Sequence, residues 1–307
     1  MIPQATNSTR EVGMPLGYGR TAEVSVWSPG WVVKLFYPMH PLAWIEQEAT
    51  IATLVFDTTK ENDEFRTPQV GEIVTVGGRY GLLYQHVEGK PLSRLLSRSS
   101  RASIDAVGAR LAELHFAIHR IRFKAGAQVS DLPSQRTMFS ECIANSSSLP
   151  ADLHHAAKRS LSLLDFELRD DCLCHCDFHP LNVLVTGHGH FVVIDWWTAE
   201  RGNPIADFAR TLILLEFGRI SGEWIIEPAE QAVRRKLRDA YLQRYLELAG
   251  WSKTDSRLKQ WVLLAIAARL NNGIGNAERS ALLAYVQKLL KEELPHGLLR
   301  GSPTGEK

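Results

Sequence analysis

The sequence predicts an α+β fold in which a small antiparallel β-sheet with one helix comes first and a larger, mostly helical part follows. Two apolar runs, at 24–36 and 70–84, predict the sheet, because each is interrupted by a short turn that contains glycine. Beyond residue 100, apolar residues recur three and four positions apart over long segments, which predicts helices. Within the helical part, residues 174–195 combine two short apolar runs with many polar side chains. We expect this segment to carry the chemistry.

The first hairpin contains a lysine whose position needs an explanation. Lys34 lies inside the second apolar strand of the 24–36 hairpin, and a buried ammonium group requires an anionic partner. A lysine on an edge strand that points to water is the alternative. A glycine-rich segment with Gly17 and Gly19 precedes the hairpin, and glycine lets the backbone approach phosphate oxygens. We therefore interpret Lys34 as a phosphate ligand.

A helix is predicted to follow over about 42–56. Its apolar residues and Glu48 share one face by helical spacing. Glu48 therefore faces inward and could pair with Lys34. Glu46 lies on a different face, where we expect it to be solvated.

The second hairpin spans 70–84, with the turn Gly77-Gly78 between its strands. The polar segment 85–91 follows and interrupts the apolar pattern. The segment separates the predicted sheet from the predicted helices.

The helical part is predicted from its apolar periodicity. A helix covers 104–118, and His115 on its apolar face is interpreted as a hydrogen-bonded core histidine. The region 128–150 is predicted to be irregular. Asn203 is expected to cap a helix whose first position is Pro204. Further helices are predicted over 151–164, 228–249, 255–270 and 276–290.

Two carboxylates and an amide stand out in the polar segment. Asp177 and Asn182 lie on one loop, and Asp195 follows the next apolar strand. One carboxylate could accept the proton of a hydroxyl group, and the other two groups could hold Mg²⁺ on the phosphates of a nucleotide. The arrangement therefore suits phosphoryl transfer.

The same segment carries a motif that is specific enough to compare with a family: His175, Asp177, His179 and Asn182, followed by Ile194, Asp195 and Trp196. With this motif the chain resembles the aminoglycoside phosphotransferase and choline kinase-like family of small-molecule kinases, whose loop reads His-Gly-Asp-x-His-x-x-Asn and precedes Ile-Asp-Trp. The departure is Cys176, where the family has glycine. If this position requires a backbone angle that favours glycine, Cys176 is strained.

The resemblance implies a bilobal protein-kinase-like fold. Residues 1–84 would form an N-terminal nucleotide-binding lobe, 85–91 a hinge, and 92–307 a helical C-terminal lobe with the catalytic loop and the acceptor site. The glycine loop near the N-terminus is similar to the kinase phosphate loop, except that Ala22 replaces the third glycine. Asp207 matches the family's aspartate that braces the catalytic loop, although it could simply stabilise a helix N-terminus.

The resemblance also implies a role for each residue of the loop. Asp177 would accept or orient the proton of the acceptor hydroxyl, His179 would touch the γ-phosphate, and His175 would order the loop by hydrogen bonding. Asn182 and Asp195 would hold Mg²⁺ on the phosphates of ATP or GTP.

On the donor side, Lys34 would balance phosphate charge and Glu48 would hold Lys34 in place. Backbone groups of Gln85 and Val87 would bind the base. Tyr84 takes the gatekeeper position, where its bulk would narrow the base pocket and could favour GTP over ATP. A plain core role for the Tyr84 ring is compatible with this.

Bulk properties argue against several classes of protein. The formal net charge is +1, which gives no case for nucleic acid or a membrane surface as a partner. The N-terminus lacks the pattern of a secretory signal, and no apolar run reaches the length of a membrane span. Four cysteines do not form a disulfide framework in a chain of this size, so a reducing cytoplasm is expected. A structural zinc in one crowded region is an alternative with poor ligand spacing. Its candidate ligands are Cys172, Cys174, Cys176, His175, His179, His188 and His190.

The predicted function is therefore Mg²⁺-dependent transfer of the γ-phosphoryl group of ATP or GTP to an alcohol group of a small molecule, by a monomer or a dimer. The resemblance favours an aminoglycoside or related antibiotic as acceptor, and hence antibiotic resistance. A metabolic kinase for choline, a sugar or an amino-acid alcohol is one alternative, and a kinase-like regulatory protein is another. Candidate acidic acceptor contacts, each otherwise a solvated charge, are Glu200, Glu216, Glu223 and Glu227. An aromatic cage for a quaternary amine could use Trp196, Trp197, Trp224, Trp251 and Trp261.

Overall fold

The computed structural model divides the chain into two compact units. It describes residues 6–7, 11–96, 101–123, 132–145, 149–164, 171–218, 228–252, 256–271 and 273–291. The first unit combines Met1–Lys90 with Asn182–Trp197, and the second combines Pro91–Leu181 with Thr198–Lys307. The first holds most of the strands and the second most of the helices. The α+β class is therefore confirmed, whereas the lobe limits proposed from the sequence stay a prediction.

A six-stranded sheet dominates the first unit, in the order β1-β5-β6-β4-β3-β2. Its strands are β1 (Thr6–Asn7), β2 (Pro15–Tyr18), β3 (Ala22–Ser28), β4 (Trp31–Phe36), β5 (Val70–Val76) and β6 (Arg79–Gln85). All neighbours pair antiparallel except β1 and β5, which are parallel. Both predicted hairpins are confirmed. The turn residues Gly77 and Gly78 have φ angles of 57° and 77°, which a two-residue hairpin turn of this hand requires.

One helix, α1 (Leu42–Thr59), packs against this sheet. Its start agrees with the prediction, and it continues three residues beyond the predicted end. Ile45 and Ala49 of α1 share an apolar cluster with Ile73 and Leu82 of the sheet. Glu48 is buried on the same helix, as its helical spacing predicts.

A smaller sheet positions two of the candidate site residues. Its strands, in the order β10-β9-β7, are β7 (Gly89–Pro91), β9 (Val183–Thr186) and β10 (Phe191–Val193). Val183 pairs with Val193, and the carbonyl of Asn182 accepts a hydrogen bond of 3.0 Å from the amide of Ile194. Asn182 and Asp195 therefore lie at the same end of the β9–β10 hairpin.

The second unit contains seven α-helices and one small sheet in its described residues. The helices are α2 (Arg101–Arg120), α3 (Gln135–Ala144), α4 (Ala151–Leu164), α5 (Pro204–Phe217), α6 (Pro228–Ala249), α7 (Ser256–Leu270) and α8 (Asn276–Lys291). The strand β8 (Cys172–Cys174) pairs antiparallel with β11 (Glu200–Gly202). Short 3₁₀ helices occur at Leu92–Leu95 and Trp196–Thr198. None of the helices that the structure describes is long and apolar enough to cross a bilayer.

Most predicted helices are confirmed, and one prediction is wrong. The predicted cap is present, since the side chain of Asn203 accepts a hydrogen bond of 2.9 Å from the amide of Ile205. The region 128–150 was predicted to be irregular, but it contains α3. Phe139 and Ile143 are four positions apart on α3, and both are buried. One buried pair in a helix of ten residues gives little periodicity, so the sequence pattern did not indicate this helix.

Helices α2 and α6 pack closely, and Gly108 allows this approach. A Cβ atom at Gly108 would lie 2.7 Å from Cβ of Ala240, 2.8 Å from the carbonyl oxygen of Leu237 and 3.1 Å from the amide nitrogen of Tyr241. Two of these three atoms belong to the α6 backbone, which cannot yield as a flexible side chain would.

We expect Gly108→Ala to destabilise the protein by about 1–3 kcal/mol, because the added methyl group forces α2 away from α6. Urea unfolding of the variant and the wild type measures this. Gly187→Ala is the matched control, since no described atom lies within 4 Å of a Cβ there and its φ is not in the left-handed region. Equal stability of Gly108→Ala and the wild type would show that α2 and α6 are not held this closely.

Candidate active site

Lys34 is the centre of a charged group in the first unit. Its Nζ lies 2.7 Å from Oε1 of Glu48 on α1 and 3.0 Å from Oδ1 of Asp195. The Lys34 side chain is 15 % exposed. Burial alone would lower the pKa of Lys34, but the charges of Asp195 and Glu48 outweigh it and raise that pKa. The contact between Lys34 and Glu48 expected from the sequence is present, and Asp195 joins it.

Tyr84 makes a contact that the sequence did not indicate. Its hydroxyl donates a hydrogen bond of 2.8 Å to Oε1 of Glu48, the atom that also binds Lys34. Burial, and then the charge of Glu48, raises the pKa of Tyr84, so the hydroxyl keeps its proton. The contact depends on the pairing of β4 with β6, which places Tyr84 opposite Val32. Tyr84 thus orients Glu48 towards Lys34.

Asp195 has an unusual backbone conformation. Its φ angle is 63°, in the left-handed region that few residues other than glycine adopt. Its side chain is 41 % exposed, while Asn182 at the same hairpin end is buried. Strain of this kind clusters at functional sites. A carboxylate and an amide oxygen are the hard ligands that Mg²⁺ takes, so the residues fit this ion.

The two glycines predicted to face phosphate lie in and after β2. Gly17 pairs with Val24, and a Cβ atom at Gly17 would meet no described atom within 4 Å. The amide of Gly19 donates a hydrogen bond of 2.8 Å to the carbonyl of Ala22 and closes the turn to β3. Neither glycine has a positive φ angle. Packing within the described part of the chain therefore does not require glycine at Gly17.

In the segment predicted to bind the base, groups of Gln85 already make hydrogen bonds within the protein. The amide of Gln85 donates a hydrogen bond of 2.8 Å to the carbonyl of Gln69, and its side-chain Oε1 accepts one of 3.3 Å from the Gln69 amide. Within the residues that the structure describes, the backbone of Val87 makes no hydrogen bond. Val87 is therefore better placed than the amide of Gln85 to bind a ligand.

In the second unit, a buried aspartate holds the turn formed by His175 and Cys176, which precedes Asp177. Oδ2 of Asp207 accepts a hydrogen bond of 2.6 Å from the amide of His175, and Oδ1 accepts one of 3.0 Å from the amide of Cys176. The amide of Asp177 donates to Nδ1 of His175 at 3.3 Å. The bracing contact expected for Asp207 is present, and the His175 ring accepts a further hydrogen bond within the same turn.

The neighbours of Asp177 keep it ionised. Nε2 of His179 lies 3.6 Å from Oδ2 of Asp177. The side chain of Asp177 is 29 % exposed. Burial alone would raise the pKa of Asp177, but His179 and the charge of Arg210 hold that pKa well below its usual value. Asp177 is thus a carboxylate near neutral pH.

Cys176 has a φ angle of 61°, in the left-handed region that favours glycine. The strain expected from the replacement of glycine by cysteine is therefore present. The thiol of Cys176 donates a hydrogen bond of 3.3 Å to Oε2 of Glu200. Glu200 is only 6 % exposed, and the interpretation of Glu200 as a solvated charge is wrong. Glu216 forms an ion pair with Arg238, whose Nη1 lies 2.7 Å from Oε2 of Glu216. Glu223 and Glu227 lie outside the described residues.

Asp207 is itself held by two histidine–tyrosine pairs. Its Oδ2 lies 3.0 Å from Nε2 of His115 and 3.1 Å from Nε2 of His119. Nδ1 of His115 lies 2.6 Å from the hydroxyl of Tyr241, and Nδ1 of His119 contacts the hydroxyl of Tyr245. The core role predicted for His115 is confirmed. The roles of His119, Tyr241 and Tyr245 were not predicted from the sequence. The signal that could have indicated them is the spacing of four residues between the two histidines and between the two tyrosines.

The only group of metal-binding side chains found among the described residues is His115, His119 and Asp207, whose ligand atoms lie within 4.8 Å of one another. Their hydrogen bonds already account for this proximity. The three neighbouring cysteines, Cys172, Cys174 and Cys176, are buried together as free thiols. The geometry therefore does not favour the zinc alternative.

The buried histidine predicts acid sensitivity. Burial, and then the charge of His119, lowers the pKa of His115 from 6.5 to about 3. Between these values the unfolded chain binds a proton that the folded protein does not, so stability falls as the pH falls. We expect the free energy of unfolding of the wild type to drop by about 1.4 kcal/mol per pH unit more than that of His115→Gln, which does not titrate. Urea titrations in this pH range measure the slopes, and equal slopes would contradict the neutral state of His115.

The comparisons with known proteins identify this fold as that of a class of phosphotransferases with a protein-kinase-like fold. The sequence profile of the phosphotransferase enzyme family, APH, matches residues 17–257. The chain belongs to this family of enzymes that transfer phosphate. No curated protein matches it by sequence.

Solved structures share the fold at low sequence identity. A thermostable mutant of aminoglycoside phosphotransferase APH(4)-Ia, in ternary complex with ADP and hygromycin B, is 16% identical with a TM-score of 0.62, over 91% of this chain and 92% of that chain. The GDP and kanamycin complex of APH(2")-IIia is 16% identical with a TM-score of 0.55, over 93% of this chain and 94% of that chain. At this identity the likeness shows the fold alone, which is that of aminoglycoside phosphotransferases.

Proposed function

We propose that the protein transfers the γ-phosphoryl group of ATP or GTP to a hydroxyl of a small molecule in a Mg²⁺-dependent reaction. The observation that carries this proposal is the bridge from Lys34 to both Glu48 and Asp195. In kinases of this class, a lysine fixed by a helix glutamate and a metal-binding aspartate must both be in place before transfer occurs.

Residues of the first unit bind the donor. Lys34 neutralises phosphate charge, and Glu48 with Tyr84 fixes its position. The backbone at Gly17 is open enough for phosphate oxygens to approach. Asn182 and Asp195 would hold Mg²⁺, which when bound neutralises charge that develops on the phosphates.

Asp177 acts on the acceptor. Because its pKa is low, it is a poor proton acceptor before the reaction starts, so it first orients the hydroxyl and takes the proton late in the transfer. His179 contacts the γ-phosphate, and His175 keeps the loop ordered through its bond to the Asp177 amide.

An aminoglycoside or a related antibiotic is the proposed acceptor, which would make the protein a resistance enzyme. The support is that solved structures of the same fold contain hygromycin B and kanamycin. The aromatic cage for a quaternary amine gains no support, because Trp196 stacks on Phe65 and Trp261 is buried against Phe139. The free cysteines agree with a cytoplasmic location.

A panel experiment tests the donor and the acceptor together. The full-length protein is incubated with ATP or GTP, with and without Mg²⁺, and with hygromycin B, kanamycin, choline, sugars or amino-acid alcohols. Mass spectrometry detects the addition of one phosphoryl group. We expect Mg²⁺-dependent phosphorylation of an antibiotic. Phosphorylation of a metabolic alcohol only would overturn the acceptor, and nucleotide binding without any transfer would identify a regulatory protein.

Asp177→Asn is expected to keep the fold and lower the turnover number by about 10²–10⁴, because the amide cannot accept the hydroxyl proton. Acceptor-dependent nucleotide consumption measures this, with circular dichroism to confirm folding. Asp63→Asn, which removes an exposed carboxylate, serves as the control and should match the wild type. Wild-type turnover in Asp177→Asn would remove Asp177 from the chemistry.

Asp195→Ala is expected to weaken binding of the Mg²⁺-nucleotide by about tenfold or more, since one metal ligand is lost. Calorimetric titration with and without Mg²⁺ separates this loss from lost phosphate contacts. Asp57→Ala, at an exposed ion pair with Lys60, is the matched control. An unchanged gain in affinity on adding Mg²⁺ would show that Asp195 does not hold the ion.

A further inference from the structure

The turn that carries Asp177 contains a non-glycine residue in a conformation that glycine favours. Cys176 has a φ angle of 61°. The backbone of this turn makes contacts that include the amides of His175 and Cys176 on Asp207, at 2.6 Å and 3.0 Å. The Asp177 amide also donates to Nδ1 of His175 at 3.3 Å, and the Thr198 hydroxyl donates to the His175 carbonyl at 3.0 Å. None of these contacts needs a side chain on residue 176. They would also form with the glycine of the family motif.

One further contact does depend on that side chain. The thiol of Cys176 donates to Oε2 of Glu200 at 3.3 Å. Glu200 lies on β11, directly opposite Cys174 on β8, and is 6 % exposed. A buried carboxylate is costly unless it is hydrogen-bonded or paired. Its location beside a strained turn indicates that it stabilises that turn.

The groups around Glu200 place its change of charge near neutral pH. Burial raises the pKa of Glu200 to about 7, the charge of Arg210 opposes this, and the charge of Asp207 adds to it. Since the thiol bonds most strongly to the ionised form, the contact weakens as the pH falls through this value. The titratable and charged groups that face Glu200 from β8, the turn, α3 and α5 are Cys174, Cys176, Cys142, Asp207 and Arg210.

Arg210 acts on both Glu200 and Asp177. Its positive charge lowers the pKa of each carboxyl group and so favours the ionised form of both.

We propose that Cys176 and Glu200 are positioning residues for Asp177, and that ionised Glu200 holds the left-handed turn through the Cys176 thiol. This inference rests on the proposed function, in which Asp177 orients the acceptor hydroxyl. The cysteine thus replaces the conformational freedom of glycine with a side-chain hydrogen bond. The bond makes the geometry of Asp177 sensitive to pH near neutrality.

Substitutions at Cys176 separate this role from packing. We expect Cys176→Ser, which keeps a donor, to retain wild-type kcat, and Cys176→Ala, which keeps the strain without the donor, to lose about fivefold. Cys176→Gly, which removes the strain and the donor, should lie between them. The KM for the nucleotide stays constant across the series.

The pH profile provides a readout that packing alone does not move. Wild-type kcat is expected to rise with pH around a midpoint near 7, and Glu200→Gln to lack this step and to remain at the low level. Glu141→Gln, at an exposed position on α3, should keep the wild-type profile. Equal kcat for Cys176→Ser and Cys176→Ala, or a pH step that persists in Glu200→Gln, would overturn the proposal.

Hydrogen exchange tests the turn without any substrate. At one fixed pH above 7, amides of the segment 174–182 should exchange faster in Cys176→Ala and Glu200→Gln than in the wild type and Cys176→Ser. Unchanged exchange in all variants would overturn the positioning role, even if the protein phosphorylates an acceptor. If the predicted exchange differences are observed but the protein phosphorylates no acceptor, the turn contact is supported and the proposed function is refuted.

Discussion

A carboxylate with no exposed surface lies at the centre of the helical unit. Asp207 accepts hydrogen bonds from two histidine rings on α2 and from two backbone amides of the turn before Asp177. An unpaired ion in this position would cost several kcal/mol, and these four donors offset that cost. Burial opposes ionisation, yet the surrounding histidines hold the pKa of Asp207 well below its usual value. The turn, α2 and α5 are therefore tied to one charge.

In the first unit, a positive charge is likewise held by several elements of the fold. Lys34 is held by Glu48 from α1 and by Asp195 after β10, and Tyr84 fixes Glu48 from β6. Each partner comes from a different element, so the position of the ammonium group depends on the whole unit. A charge that several elements hold rigidly needs little reorganisation when it acts on another charge, which is the basis of electrostatic preorganisation.

Hydrogen-bonded histidines make this arrangement specific as well as stable. His115 and His119 each use one ring nitrogen on Asp207 and the other on a tyrosine hydroxyl of α6. The close packing of α2 on α6 at Gly108 allows both tyrosines to reach. Because each ring has both nitrogens engaged, a shift of either helix would leave a buried polar group without a partner, and such groups are costly.

Most of the elements, the cap at Asn203 and the motif from His175 to Asp195 could be read from the amino-acid sequence, because periodicity, capping and loop spacing are local properties. It did not reveal α3, because two buried apolar residues in a helix of ten residues give little periodicity. The contacts of Tyr84 with Glu48 and of His115 with Tyr241 join residues 36 and 126 positions apart, and they became visible in the folded structure alone. The folded structure also decided that Glu200 is buried beside Cys176. Such contacts depend on which strands pair and which helices pack, and no local pattern specifies that choice.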